Sequence, residues 1–313
     1  MKKFLAIIMA LVFAFSMIAC SKTTENTATE AAEATVEETT VAETSAPKAQ
    51  VVGLSVSTQN NPFFVTLVDG ATKKAKELGV ELIVVDAGDD AAKQTNDIED
   101  LISKNVQVLI VNPVDSSAVA PAISDVKAKG IKVISVDRGV DGETVDVAIA
   151  SDNIYGGEIA TKYLVELVGE GAEVAELVGT EGTSAAIDRG AGFHNVADLK
   201  LNVVASQTAN FNRAEGLTVM ENMLQAHPNI KGVFAHNDEM ALGAVEAVNG
   251  KDIAIIGFDA TDDALAAVKE GKMKATVEQQ PDLMGSTSVE NAVKLINGES
   301  VQPVIGVEVK LVK

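Results

Sequence analysis

Short, nearly continuous runs of aliphatic residues recur along this chain, and stretches with helical periodicity separate them. The first five runs lie between Val51 and Ser151, and amphipathic stretches such as FFVTLVDGATKKAKEL separate the first four. Strands that are apolar along their whole length are typical of a parallel sheet with helices on both faces. The pattern therefore predicts an α/β fold.

The same pattern repeats in the second half of the chain. The five further runs, again with helical stretches between them, are AEVAELVG, LNVVASQ, GVFAHND, IAIIGFDA and KATVEQQ. Two successive series of this kind imply two doubly wound parallel sheets, one in each of two lobes. Ligands of such sheets bind beyond the carboxyl ends of the strands. The functional residues are therefore expected at those ends.

The first 20 residues, MKKFLAIIMALVFAFSMIAC, have the features of a secretory signal peptide. Two lysines precede an apolar stretch of roughly a dozen residues, which is too short for a membrane span. The segment Met17-Ile18-Ala19-Cys20 resembles the lipobox of bacterial lipoproteins, in which the cysteine is lipidated. We therefore predict a lipoprotein signal peptide over residues 1–20, lipidation at Cys20 and an extracytoplasmic protein anchored to the membrane. The alternative is an ordinary cleaved signal peptide.

Residues 21–50 consist largely of Thr, Ala and Glu and offer little surface to bury. Such a composition predicts a disordered, acidic tether. Because Cys20 is the only cysteine, the rest of the chain uses neither disulfides nor thiol chemistry. A net charge of −20 argues against nucleic acid as a partner and against electrostatic adhesion to an anionic membrane.

Phenylalanine is concentrated at the predicted strand ends. Of nine Phe in the chain, three lie in the signal peptide, and four of the others lie at strand ends beside polar residues. These four are Phe63, Phe64, Phe211 and Phe258. Flat apolar faces among Asp, Asn and Arg side chains suit a sugar, because its C–H faces stack on aromatic rings while its hydroxyls need donors and acceptors.

The first of these strand ends is followed by a helix-start signal. Asn61-Pro62 predicts an N-cap followed by proline at the first helical position. Phe63 then lies outside the apolar stripe expected for this helix, which is Phe64, Val68, Ala71, Ala75 and Leu78. The core therefore does not explain Phe63, and contact with a ligand does.

Several other site chemistries lack their motifs. The turn after the first strand contains no glycine, so neither a P-loop nor a dinucleotide-binding motif is present. Gly156-Gly157 lies inside a helical pattern and indicates close packing. The three histidines show no metal-ligand spacing and are interpreted as structural or surface residues, with His236 expected near the rim of the cleft. We therefore predict neither a cofactor nor a metal.

Enzymatic alternatives are also disfavoured. No G-x-S-x-G motif surrounds Ser184, which is interpreted as a helix N-cap. Asp137 and Asp259 are conceivable as a glycosidase pair. However, Arg138 directly follows Asp137 and is expected to keep that carboxylate ionised. The sequence therefore predicts binding without turnover.

Nine motifs at the strand ends, in this order along the chain, resemble the periplasmic D-ribose-binding proteins of ABC importers. They are STQNNPFFV, VNPVDSSAV, SVDRG, IASDN, GTSAAIDRGAGF, FNR, NDEMALGA, GFDA and QQPD. The resemblance covers residues 51–313 and implies a type I periplasmic binding protein fold, with two similar doubly wound parallel-sheet lobes joined by a three-strand hinge. It implies an N-terminal lobe of residues 51–152 and 281–308, and a C-terminal lobe of residues 153–280 and 309–313.

The resemblance also implies which residues contact the sugar. In that family phenylalanines sandwich the sugar, and Asp, Arg, Asn and Gln side chains bond its hydroxyls. Carried over by position, the contacts are Ser57, Asn61, Phe63, Phe64, Asp137, Arg138, Arg189, Phe211, Asn237, Asp259 and Gln279. Phe258 is left as a second possibility, because it is also the last apolar residue of its strand.

The function implied by the resemblance is capture of D-ribose by a monomer and its delivery to an ABC transporter permease. The alternatives are allose, another pentose or a furanose autoinducer as ligand, or a sugar sensor for a chemoreceptor or kinase. Galactose binders of this fold usually carry a cleft Trp, and this chain has none. Sugar-responsive repressors share the core but need an N-terminal helix-turn-helix, and a signal peptide and tether are predicted in its place.

Overall fold

The computed structural model describes residues 49–313. The predicted signal peptide, the lipidation site at Cys20 and residues 21–48 of the predicted tether lie outside the described residues. The described residues belong to one compact unit. No helix within the described part of the chain is long and apolar enough to cross a membrane.

Strands and helices alternate along the described residues. The strands are β1 (Val51–Val56), β2 (Glu81–Asp86), β3 (Val108–Val111), β4 (Lys132–Val136), β5 (Val147–Ser151), β6 (Glu173–Val178), β7 (Asn202–Thr208), β8 (Gly232–Ala235), β9 (Ala254–Asp259), β10 (Ala275–Glu278), β11 (Val304–Val307) and β12 (Lys310–Val312). The helices are α1 (Pro62–Leu78), α2 (Ala91–Ser103), α3 (Ala120–Ala128), α4 (Asn153–Val168), α5 (Ser184–Lys200), α6 (Arg213–Ala226), α7 (Asp238–Val248), α8 (Asp262–Lys269) and α9 (Pro281–Ile296).

The strands form two six-stranded sheets with matching strand orders. The first sheet has the order β11-β5-β4-β3-β1-β2, and the second has the order β12-β10-β9-β8-β6-β7. In each sheet the first strand of the series lies between the second and the third, so the winding direction reverses beside that strand. This reversal opens a crevice at the carboxyl ends of the strands. The two crevices are the places where each lobe can contact a ligand.

Both faces of each sheet are covered by helices, as the apolar strands predict. In the first lobe α1 and α9 pack on one face, and α2 and α3 pack on the other. In the second lobe α4 and α5 cover one face, while α6, α7 and α8 cover the other. The predicted α/β fold with two similar doubly wound lobes is confirmed. Burying the strands on both faces fixes their positions, and therefore fixes the loops that follow them.

The chain passes from one lobe to the other three times. The connections run from β5 to α4, from β10 to α9 and from β11 to β12. The last two strands were absent from the ten apolar runs, because β11 and β12 are short edge strands with exposed residues. The second sheet was predicted to be parallel, but its edge strand β12 pairs antiparallel with β10. Only two residues separate β11 from β12, so the chain enters the second sheet without a helical crossover, and β12 need not be parallel to its neighbour.

Candidate functional site

A cavity lies between the two lobes, at the carboxyl ends of both sheets. The space between the atoms there is about 250 Å³, including space open to solvent. The cavity is lined by Asn61, Phe63, Phe64, Asp137, Arg138, Ala185, Arg189, Phe211, Asn237, Asp259 and Gln279. Ten of the eleven residues predicted to contact a ligand are in this lining. All of the lining residues except Phe211 are buried.

The start of α1 positions the first group of cavity residues. Asn61 is the N-cap of α1, and its side-chain oxygen accepts a hydrogen bond from the Phe63 backbone N–H at 2.9 Å. Pro62 occupies the first turn, where its missing N–H costs nothing. The rings of Phe63 and Phe64 are perpendicular, with centroids 5.2 Å apart. The predicted helix start is confirmed, and it places two aromatic rings at the cavity.

The predicted apolar stripe of α1 needs two corrections. Leu78 is 44% exposed, while Leu67 is fully buried and was omitted from the stripe. Phe63, which the core was not expected to explain, also borders the core of the first lobe. The first turns of the helix are buried more completely than its last turn. Phe63 therefore belongs to both the core and the cavity wall.

Asp137 and Arg138 extend from the end of β4. The Asp137 Oδ2 atom accepts a hydrogen bond from the Asn112 side chain at 3.1 Å. An Arg138 nitrogen donates to the Pro113 carbonyl at 2.8 Å. The guanidinium of Arg138 lies 5.1 Å from the ring centroid of Phe64 and 5.4 Å from that of Phe211 in the other lobe. Arg138 is therefore a cation between two aromatic rings, one from each lobe.

Arg189 is the corresponding cation of the second lobe. It extends from α5, and its Nε donates to the Asn153 side chain at 2.9 Å. A terminal nitrogen of Arg189 donates to the His236 carbonyl at 2.7 Å. The guanidinium also lies over the Phe258 ring, 4.0 Å from its centroid. Phe258 is therefore not a cavity residue but the aromatic surface that supports Arg189.

Two linked pairs complete the second lobe's side of the cavity. Asn237 caps α7 through its side-chain oxygen, and its side-chain nitrogen donates to the Phe211 carbonyl at 3.2 Å. The Gln279 side-chain nitrogen donates to Asp259 Oδ1 at 2.7 Å. Each pair joins loops that follow different strands. These hydrogen bonds fix the loops relative to one another without any contribution from a ligand.

Three cavity residues have backbone conformations that side chains rarely adopt. The φ angles are 64° at Asp137, 57° at Phe211 and 131° at Asp259. Positive φ in a residue other than glycine is costly, and it occurs mostly where the surrounding structure and a function require it. All three residues lie at or shortly after the end of a strand, and their side chains line the cavity. No feature of the sequence predicted these backbone conformations.

The cavity walls contain polar atoms without a partner in the chain. Within residues 49–313, the buried Asp137 Oδ1, Arg138 Nε and Gln279 Oε1 atoms have no hydrogen-bond partner. Leaving a buried polar atom unpaired costs about 1–3 kcal/mol. The three atoms are two acceptors and one donor, and all belong to residues that line the cavity. They indicate a ligand that both donates and accepts hydrogen bonds.

Burial raises the pKa values of the two carboxylates in the cavity lining. Burial raises the pKa of Asp137, and the charges of Arg138 and Arg189 offset only part of that effect. Arg138 was expected to prevent a raised pKa at Asp137, and that expectation is wrong, because the desolvation of the carboxylate outweighs its charge partner. The shortest approach between the two side chains is 3.8 Å, which is too long for a hydrogen bond. Burial also raises the pKa of Asp259.

Asp238, directly behind the cavity, makes the stability of the protein depend on pH. Its carboxylate accepts hydrogen bonds from Thr276 Oγ1 at 2.6 Å and from the Thr261 backbone N–H at 2.8 Å. Burial nevertheless raises the pKa of Asp238 from 3.8 to about 7. The folded protein therefore binds more protons than the unfolded chain in this range, and its stability falls as the pH rises from about 4 to about 7.

We expect Asp238→Asn to reduce this fall in stability, because asparagine does not titrate. The measurement is thermal unfolding of both proteins at several pH values between about 4 and about 8. Asp259 remains in the variant and titrates in the same direction, so some dependence should persist. An unchanged pH profile in the variant would contradict the prediction.

Other predicted residues lie elsewhere than expected. Ser57 is fully buried and does not line the cavity, although its hydroxyl is also without a partner among the described residues. His236 is fully buried rather than at the rim of the cleft. Thr183, not Ser184, is the N-cap of α5. The Ser184 hydroxyl instead accepts a hydrogen bond from the backbone N–H of Gly139 in the other lobe, at 2.8 Å.

Two residues that help to form the site were not selected from the sequence. Ala185 lines the cavity, but an alanine at the start of a helix carries no chemical signal. Asn112 is fully buried, and it bonds Asp137 and also accepts from the Ser57 backbone N–H at 3.2 Å. Its position at the end of β3 was a signal that could have identified it. Among the described residues no group of three or more His, Cys, Asp or Glu side chains is arranged so that it could hold a metal ion.

Comparison with known proteins gives consistent matches across most of the chain. Residues 52–300 match the family described as "Periplasmic binding protein domain". A ribose import binding protein of Bacillus subtilis (strain 168) is 53% identical over 262 residues, which are 83% of this chain and 86% of that protein. A ribose import binding protein of Escherichia coli (strain K12) is 48% identical over 265 residues, covering 83% of this chain and 90% of that protein.

Solved structures agree with the fold. The Caulobacter myo-inositol binding protein bound to myo-inositol has a TM-score of 0.82 and 33% identity, covering 86% of this chain and 94% of that chain. An ABC transporter periplasmic solute binding protein from Actinobacillus succinogenes 130z with bound D-allose has a TM-score of 0.78 and 33% identity. That match covers 84% of this chain and 97% of the other.

Proposed function

The chain belongs to the periplasmic binding protein family, and on that basis we propose that it captures D-ribose between its lobes and delivers it to an ABC importer. It acts as an extracytoplasmic solute-binding protein and not as an enzyme. The proposal depends chiefly on the cavity between the lobes, in which aromatic rings lie beside buried donors and acceptors that have no partner in the described chain. The names of the curated relatives favour ribose over the other sugars.

The charges of the cavity suit a neutral ligand. Two arginines and two aspartates line it, so their formal charges cancel. A phosphorylated or carboxylated ligand would add a buried negative charge without a further cation to balance it. A neutral polyol instead offers hydroxyls that can donate to the aspartates and accept from the arginines. The rings of Phe63, Phe64 and Phe211 provide apolar surfaces for its C–H faces.

A small sugar can bind tightly in such a site. A pentose has about ten non-hydrogen atoms, and micromolar affinity, about −8 kcal/mol, is within the limit for a ligand of this size.

Closure of the lobes is the event that the importer would recognise. We infer that residues 51–152 with 281–308 move as one body and residues 153–280 with 309–313 as the other. Around the cavity, main-chain N–H groups form hydrogen bonds between the lobes. The Ser116 N–H donates to the Gly182 carbonyl at 3.0 Å, and the Ser184 N–H donates to the Ser116 hydroxyl at 3.1 Å. A ligand that contacts both lobes binds the closed form more strongly and shifts the population toward it.

Calorimetric titration of residues 47–313 tests the proposal. The protein is first unfolded and refolded to remove bound sugar, and then titrated with D-ribose, allose, arabinose, xylose and galactose. We expect binding of D-ribose with micromolar or tighter affinity, about −8 kcal/mol or better. A signal with another sugar only would preserve the site and change its specificity. No signal with any of the five would overturn the proposal.

Phe63→Ala is expected to weaken ribose binding by about tenfold or more, because the aromatic face and its buried contact area are lost. The matched control is Val65→Ala on the same helix, whose side chain is exposed and outside the cavity. The control should bind ribose as the unmodified protein does. Equal affinity of the two variants would show that Phe63 is only a core residue.

Anchoring completes the proposal. We propose that Cys20 is lipidated and that residues 21–50 tether the binding unit to the membrane, so that a monomer remains near its permease. Mass spectrometry of the native N-terminus tests this, since a lipidated Cys20 should be the first residue. A non-lipidated N-terminus at another residue would support an ordinary signal peptide. The closed protein is also a suitable ligand for a chemoreceptor. Binding of the ribose-loaded protein to such a receptor would test this role.

A further inference from the structure

A charged side chain lies in the interior of the second sheet, close to the cavity but not in its lining. Glu176 is in the middle of β6, next to β7 and β8, and only 2% of it is exposed. Its Oε1 atom is 2.9 Å from His236 Nε2. Its Oε2 atom accepts from the Ser206 hydroxyl at 2.6 Å and lies 3.3 Å from His194 Nε2. A buried carboxylate is costly, and this one has three partners.

The hydrogen bonds of His236 define its protonation. Its Nδ1 atom accepts from the Gly179 backbone N–H at 3.3 Å, so this nitrogen carries no proton. The proton of the neutral ring is then on Nε2, which donates to Glu176. Burial lowers the pKa of His236, which agrees with a neutral imidazole. Glu176 and His236 are therefore an ionised carboxylate and a neutral ring whose tautomer is set by a backbone amide.

His236 contacts groups that hold two residues of the cavity lining, Arg189 and Phe211, in place. The carbonyl of His236 accepts the 2.7 Å hydrogen bond from Arg189. Gly179, whose N–H donates to the ring, lies against Phe211, and a Cβ at Gly179 would collide with the Phe211 ring. The position of the His236 ring and backbone thus determines where the Arg189 guanidinium and the Phe211 ring can lie.

We propose that Glu176 and His236 are positioning residues, which orient Arg189 and Phe211 for the ligand without touching it. The inference rests on the proposed function, since it concerns the same cavity. Removing the carboxylate leaves the His236 Nε2–H without its acceptor inside the sheet. The orientation of the His236 ring is then no longer fixed, and the Gly179 N–H loses an acceptor in a defined position. Both effects reach the ligand through Arg189 and Phe211.

The geometry also predicts an effect of pH on affinity. A second proton on His236 must go to Nδ1, where it would meet the Gly179 N–H and displace Gly179 from beneath Phe211. The charged or titratable groups that face the pair are Glu176 on β6, together with Arg189, His194 and Asp198 on α5. Protonation of His194 adds a positive charge beside Glu176 and opposes protonation of His236. Affinity should therefore fall only on the acidic side of neutrality.

Two variants test the proposal in residues 47–313, with D-ribose as the probe. Glu176→Gln removes the charge at constant size, so that a neutral amide oxygen replaces the charged acceptor of His236, and we expect affinity about threefold to tenfold weaker. His236→Gln keeps a side chain that can hydrogen-bond but not titrate, so it should bind better than Glu176→Gln and show a smaller loss of affinity on acidification. Asp137 and Asp259 titrate in all variants and leave a common background. The control is His227→Gln, at the C-terminal end of α6, which should match the unmodified protein.

A second measurement needs no ligand. In nitrogen NMR of the unliganded protein, His236 should be neutral at pH 7 with its proton on Nε2. The Arg189 Nε–H signal should shift in Glu176→Gln and His236→Gln but not in His227→Gln. A charged His236, or an Arg189 signal that is unmoved in both variants, would overturn the inference. If the unmodified protein binds no sugar, the proposed function fails and the NMR result still decides the positioning role.

Discussion

Replacing Arg189 by methionine is expected to abolish tight ribose binding, with affinity reduced about 100-fold or more. A hydrogen bond from a charged donor to a buried acceptor contributes about 1.5–3 kcal/mol, and each 1.4 kcal/mol is about tenfold. In this protein the loss has two parts. The ligand loses its donors, and the Asp259 carboxylate, whose Oδ1 is 3.9 Å from an Arg189 nitrogen, loses its nearest buried cation.

Methionine is chosen because it preserves much of the apolar contact with Phe258, so the effect reports on the guanidinium. The matched control is Arg213→Met in the same lobe. Arg213 is a partly exposed arginine that donates to Glu239 and Asp263 and lies outside the cavity. Calorimetric titration of both variants, with thermal unfolding to verify that they fold, gives the comparison. Ribose affinity within about threefold of the unmodified protein for Arg189→Met would exclude Arg189 as a main ligand contact.

Gly157→Ala is expected to destabilise the protein, because two helices pack closely at this glycine. Gly157 lies on α4, where an added Cβ would be 2.5 Å from the Arg189 carbonyl oxygen and 3.1 Å from the Gly192 Cα on α5. Both obstacles are backbone atoms, so the two helices must separate. Overpacking of this kind costs about 1–3 kcal/mol, which lowers the unfolding temperature by about 5 °C for a protein of this size.

The same change should also weaken ribose binding, because the displaced α5 carries Arg189. Gly306→Ala is the control, since a Cβ at Gly306 on β11 meets no atom within 4 Å. Calorimetric melting of both variants, followed by titration with ribose, measures the two effects. If Gly157→Ala unfolds at the same temperature as Gly306→Ala, close packing of α4 on α5 does not limit stability.

The sequence predicted much of the fold because its signals are local. The ten apolar runs, the helix start at Asn61-Pro62 and the close packing at Gly156-Gly157 each depend on a few neighbouring residues, and each is present in the structure. The resemblance to ribose-binding proteins selected ten of the residues that line the cavity, and the strand pattern placed them near the carboxyl ends of the strands, which parallel strands bring to one side of a sheet. That these residues bind a sugar stays a prediction.

Errors arose where local rules compete. Ser184 and Thr183 are both good N-cap residues, and only the structure shows that Thr183 caps α5 while Ser184 bonds the other lobe. An arginine beside Asp137 was expected to keep it ionised, but neighbours in sequence diverge when the backbone turns at a φ of 64°. Burial then decides the pKa of Asp137.

By itself the sequence determined the alternation of strands and helices and the chemical character of the strand ends, since periodicity and composition act over a few residues. Only the tertiary structure decided which of those residues face one another. Arg189 bonds a carbonyl 47 positions away, and Glu176 bonds a histidine 60 positions away. Such contacts exist because buried charges and polar atoms must find partners wherever the packed sheets bring them close. No local pattern specifies those partners.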